Sequence, residues 1–150
     1  MANGAENPPT GVTKMPNAVK IVVGVLIGFV VWFVAATLAN LVLRGAVHGY
    51  VEAEAVMNFT LPMLLARLGV GALGSLAAGL VCALSARSTP SAVKALAIAL
   101  VLFFVPVHYS LWAQFPLWYH AAFLLSLSPL VWLGAKVLRS IGSEDAASAD

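Results

Sequence analysis

Apolar residues fall in four long runs, and the charged residues fall almost entirely between them. The runs cover residues 21–43, 61–84, 92–112 and 117–138. Each matches the roughly 20 residues that an α-helix needs to cross the hydrocarbon core of a bilayer. Strands of a membrane barrel would be about half as long and would alternate apolar with polar. No such alternation occurs here. The pattern predicts an all-α integral membrane protein, a four-transmembrane-helix bundle with antiparallel, up-down helices, occupying residues 20–139.

Details at the ends of the runs sharpen this picture. The first run is entered by Lys20 and left by Arg44. It is longer than the apolar core of about 7–15 residues found in cleaved signal peptides, and no small-x-small site follows it closely. It reads as a retained signal anchor. Thr60 is placed to cap the second helix, with Pro62 tolerated in the first turn, where its missing donor would be unpaired anyway. Residues 1–19 and the acidic segment 140–150 carry too little apolar surface to repay ordering, and both read as disordered tails.

Composition agrees with the pattern. Hydrophobic residues make up 61% of the 150-residue chain and charged residues 9%, against about 25% charged in soluble domains. Lipid is therefore the expected partner of the helix surfaces. A net charge of +2 without a basic stripe excludes a nucleic-acid partner. The single cysteine, Cys82, lies within an apolar run and reads as a small packing residue.

Basic residues near span ends stay on the cytoplasmic side. Lys14, Lys20, Arg87, Lys94, Lys136 and Arg139 share one side of the expected topology, and only Arg44 lies at the other. Both termini are thus expected in the cytoplasm. Residues 45–59 and the turn at 113–116 are expected outside. The Ala-rich composition and compact loops read as bacterial, which points to the inner membrane. The Asn58-Phe59-Thr60 triplet matches a glycosylation acceptor, a match without meaning in that setting.

Lipid supplies no hydrophobic drive between helices, so small residues mark where backbones approach. Gly24 and Gly28 form a GxxxG pair in the first span. Gly71, Ser75, Gly79 and Ala83 recur every fourth residue in the second. These read as helix contact surfaces of the bundle, with a homo-oligomer interface as the alternative. Pro106 and Pro129 bend the third and fourth spans, and Ser126 and Ser128 are placed to satisfy carbonyls freed near Pro129.

One polar cluster emerges once the sides are assigned. His48, His108, His120, Glu52, Glu54 and the intraspan cation Arg67 all belong to the outer half. His108 and His120 flank a turn centred on Gln114 at equal separation, which puts both about 9 Å below it on adjacent helices. Arg67 is similarly deep and leans outward, because helical side chains tilt toward the N-terminus; Glu52 or Glu54 is placed to meet it. Three readings follow. In the first, Tyr50, Tyr109, Trp112, Trp118, Tyr119 and the histidines form an interfacial belt, with Arg67 a structural pin. In the second, His108 and His120, with His48 or a glutamate, bind a metal or haem. In the third, Arg67 and the histidines bind an anionic or carbonyl-bearing ligand such as a lipid headgroup or quinone.

No complete catalytic, nucleotide or metal motif is present, and no motif calls for a cofactor. No Asp or Glu lies within a span, which argues against a proton-coupled exporter of the small multidrug resistance type. The four-span layout is similar to that of the membrane-associated glutathione-metabolism and DoxX-like families in span count and length alone. The expected function is a non-enzymatic accessory or assembly role beside a membrane-protein partner. The alternatives are binding of a cofactor, metal, quinone or lipid headgroup at the His/Arg cluster, and, last, a small transporter.

Overall fold

The computed structural model describes residues 16–86 and 89–147. Expectations placed on residues 1–15, Lys14 among them, on Arg87 and on 148–150 lie outside the described residues. Five helices are present: α1 (Asn17–Ala46), α2 (Tyr50–Ala55), α3 (Leu61–Ser85), α4 (Ser91–Ser110) and α5 (Leu117–Ala147). No strand occurs among the described residues. Four of the helices, all but α2, are long and apolar enough to cross a membrane.

Local chemistry sets the boundaries. Thr60 adopts extended backbone before α3 and its carbonyl accepts the Leu64 N–H at 3.0 Å, but its hydroxyl makes no capping bond. Between α1 and α2 the chain turns through Gly49 at φ 76°, a left-handed conformation that costs glycine little. The third span stops at Ser110, and the turn that follows is anchored by buried Phe115, packed with Leu64 and Tyr119. Helical backbone continues through Ala147, into the segment expected to be a disordered tail. Extending an existing helix by Ala, Ser and Glu residues needs no new nucleus, so little opposes it. In the turn before Pro129, the Ser126 hydroxyl donates to the Phe123 carbonyl at 2.9 Å.

The core runs along α3, which touches α1 on one side and α5 on the other. Trp32, Ala78, Cys82, Leu96, Leu100, Phe104, Phe123, Leu127 and Val131 form its buried centre. Trp32 can be buried because its indole N–H donates to Ser75 Oγ at 3.1 Å, while Ser75 donates to the Gly71 carbonyl at 2.8 Å. Facing outward are Leu26, Val30, Leu38, Ile98, Leu102 and Leu125, all well exposed. A soluble monomer does not leave so extensive an apolar surface uncovered.

Small residues decide how closely the helices meet. A Cβ on Gly24 would lie 3.1 Å from that of Ala86, and one on Gly28 would lie 2.6 Å from Leu96 Cδ2. On α3, Gly71 accommodates the Phe123 ring and Gly74 abuts Trp32. Ala83 packs at the edge of the core. At Gly79 the approach is backbone to backbone: an added Cβ would overlap the Val131 carbonyl oxygen. Gly134 of α5 does the same against the Leu76 carbonyl. Main chain cannot swing aside as a side chain can, so overpacking here is expected to cost about 1–3 kcal/mol or more. Gly79→Ala is therefore expected to lower the melting temperature in detergent. Gly69→Ala, whose Cβ would meet nothing within 4 Å, is expected to leave it unchanged or raise it. Equal effects of the two substitutions would remove the α3–α5 contact as the determinant.

Candidate functional site

A charged side chain inside a span is costly unless it finds partners, and Arg67 finds its partners on α2 and in the loop that follows it. Its Nη1 donates to the Tyr50 hydroxyl at 3.0 Å and lies 3.6 Å from Glu54 Oε1. Its guanidinium sits over the Phe59 ring at 4.6 Å, a favourable cation–π geometry. Tyr50, fully buried, donates onward to Asn40 Oδ1 at 2.9 Å. Glu54 Oε2 receives Arg44 Nε at 2.7 Å and Nη2 at 2.6 Å, while its Oε1 faces Asn40 Nδ2 at 3.4 Å. α2 is thereby tied to α1 and α3 by one polar network.

Glu54 feels opposing influences. Burial alone would raise its pKa, but hydrogen bonds from Arg44 and Asn40 and the charges of Arg44 and Arg67 outweigh it, so the net direction is downward.

His108 and His120 meet directly, Nδ1 to Nδ1 at 2.8 Å, and both rings are buried. One nitrogen of such a contact carries the proton and the other accepts it. His120 is stacked against Trp112, with centroids 5.0 Å apart, and His108 lies 4.5 Å from the Phe123 ring. The Nε2 of His120 is buried without a hydrogen-bond partner.

A cavity of about 330 Å³ opens between α1, α3, α4 and α5 beneath α2. Its α2 end presents Asn40, Glu54, Arg67, His108 and Tyr119, with Thr37 nearby. Its other walls are aromatic and apolar, with Trp32, Phe33, Phe104 and Phe123. The volume and the mixture of many apolar walls with few convergent polar groups suit a small or single-chain ligand.

Of the residues singled out from the sequence, Arg67, Glu54 and His108 share this cavity, and His120 adjoins it through His108. His48 and Glu52 are exposed and stand apart. Tyr50 and Tyr119, expected in an interfacial belt, are interior, whereas Tyr109, Trp112 and Trp118 are exposed. For the metal reading, no group of three or more His, Cys, Asp or Glu side chains is placed to hold an ion among the described residues. Asn40, Tyr50 and Tyr119 are site residues that sequence reasoning missed. Asn40 had a signal: it is the single amide within the first span. Tyr50 had none, because its position depends on α2. Comparison with protein-family models, curated proteins and solved structures found no match to this chain.

A carboxylate whose pKa is lowered on folding contributes stability above its unfolded value and loses it as pH falls through the folded one. The contribution of Glu54 is thus complete above the ordinary value of 4.5 and is lost as pH falls from there through the lowered folded value. Glu54→Gln is expected to lower the melting temperature at neutral pH and to flatten its fall between about pH 6 and pH 3. Parallel pH curves for the two proteins would show that the Glu54 ion pairs contribute nothing.

Proposed function

We propose that this is a non-enzymatic membrane-embedded binding protein. In this reading four antiparallel helices cross a bacterial inner membrane, both termini are cytoplasmic, and α2 lies on the outer side. The cavity beneath α2 takes a lipid-soluble amphiphile whose oxygen-bearing head meets Arg67 and whose apolar body lies along the aromatic wall.

One observation carries the reading: a cation within a span, with Glu54 and Asn40 beside it, lines one end of a cavity whose remaining walls are aromatic and apolar. Hydrogen-bond donors predominate there. Arg67 brings five N–H groups; Nη1 donates to Tyr50, and Nε is buried without a partner. The acceptors nearby are already engaged, Glu54 by Arg44 and Asn40, and Asn40 Oδ1 by Tyr50. A ligand that complements this end supplies acceptors. The basic residues that share one side, and the polar network on the other, support the orientation. An assembly role within a larger complex is the second reading, favoured by the uncovered apolar face of α1 at Leu26, Val30, Val34 and Leu38.

Native mass spectrometry of the protein released gently from its own membrane tests both. A stoichiometric lipid-soluble adduct is expected, lost in Arg67→Ala and retained at least in part in Arg67→Lys. A bare protein mass for the wild type would end the ligand reading. A stoichiometric protein partner without an adduct would establish the assembly role in its place. An absorbance band of haem, or bound metal lost in His108→Ala, would reassign the site to a cofactor.

A further inference from the structure

The polar end of the cavity does not balance in charge. Two arginines, Arg44 and Arg67, share one carboxylate, Glu54. Arg44 holds Oε2 with two nitrogens at 2.6 and 2.7 Å. Arg67 is left 3.6 Å from Oε1, and its short hydrogen bond goes to the neutral Tyr50 hydroxyl. Among the described residues, the groups of the other helices that line this end are Asn40 of α1, His108 of α4 and Tyr119 of α5, none of them an acid. One positive charge is therefore uncompensated. Arg44 is half exposed and sheds its charge to solvent, but the Arg67 side chain is only 24% exposed and gives onto the cavity.

A neutral carbonyl would accept hydrogen bonds from Arg67 and leave the charge unanswered. An anion answers both, and charge-assisted hydrogen bonds to guanidinium are roughly twice as strong as neutral ones. Size narrows the choice further. About 330 Å³ lies at the small end of ligand pockets, and suits one chain along Trp32, Phe104 and Phe123.

We propose that the occupant is a single-chain amphiphile with one negative charge on its head, bound with that head at Arg67 and its chain against Trp32. This rests on the ligand-binding reading above and gives it a chemical class. Such a head is the carboxylate of a free fatty acid or the phosphodiester of a single-chain phospholipid.

Trp32 supplies the probe, because of the four tryptophans it alone lines this cavity. The protein carrying Trp112→Phe, Trp118→Phe and Trp132→Phe is placed in uncharged nanodiscs. It is then titrated with a chain-brominated fatty acid, ionised at the working pH, and with its methyl ester. Bromine quenches a nearby indole. The acid is expected to quench Trp32 at concentrations at least tenfold below the ester, and Arg67→Gln is expected to abolish that preference while Arg67→Lys keeps it. A brominated single-chain phosphatidylglycerol quenching as well as the acid would assign the head to a lipid source; the acid alone quenching would assign it to a free acid. Equal quenching by acid and ester, or a preference unaltered in both Arg67 variants, would overturn the anionic head and leave an uncharged amphiphile. If neither ligand quenches Trp32, while brominated phosphatidylcholine quenches Trp112, Trp118 and Trp132 in the unsubstituted protein, both this inference and the ligand reading fall.

Discussion

Contact between two main chains governs this structure. At Gly79 and Gly134 nothing but backbone separates α3 from α5. Two turns nearer α2, at Gly71, a phenyl ring stands between them. There the Phe123 ring takes the place that backbone holds at Gly79, and with Tyr119 it lines the cavity. In lipid, where apolar burial between helices gains little, such close approach is the chief source of association. The same small residues that hold the helices together at one end thus define an opening at the other.

Arg67 occupies that opening at a cost. An arginine at the centre of a span is unfavourable by about 2.5–3.5 kcal/mol on insertion scales, and Arg67, six residues from the start of α3, carries less than that full cost. A hydrogen bond to a charged group contributes about 1.5–3 kcal/mol. The bond donated to Tyr50, the ring of Phe59 and the more distant Glu54 together offset the expense of placing the charge there. They do so by drawing α2 down over the helix ends. The short helix is held by Asn40 and Arg44 of α1 through Glu54 and Tyr50. A polar roof over an apolar chamber is the result, and amphiphile binding is the use that its chemistry suits.

Much of the architecture was legible in the chain. Apolar runs of this length have one stable form in lipid, because every backbone group has to be satisfied within its own segment. The four long helices consequently lie where hydropathy puts them, with α4 ending at Ser110, two residues before the end of its run. Equal separation from the turn at Gln114 puts His108 and His120 at one level, and they meet there. α2 was not legible. Its six residues carry no helical stripe of their own, and it is held by side chains from two other helices. Tyr50 and Asn40 could not be joined to Arg67 without it. Gly134 escaped notice because it belongs to no four-residue repeat of small residues, and Gly74 because its repeat with Ala78 is shorter than the one that begins at Gly71, although both glycines touch neighbouring helices. Pairwise helix placement, which repeats alone do not specify, decides which glycines matter.

The central claim is that the space between α1, α3, α4 and α5 beneath α2 is a binding chamber rather than a packing defect. A photoreactive single-chain amphiphile, with its diazirine midway along the chain, tests this in the protein kept in its native membrane. Labelling is expected to concentrate on the lining residues Trp32, Phe33, Phe104 and Phe123. It is also expected to fall when excess unlabelled amphiphile is added. Labelling spread over outward-facing Leu26, Leu102 and Leu125, and indifferent to competitor, would mean that the chamber takes no ligand.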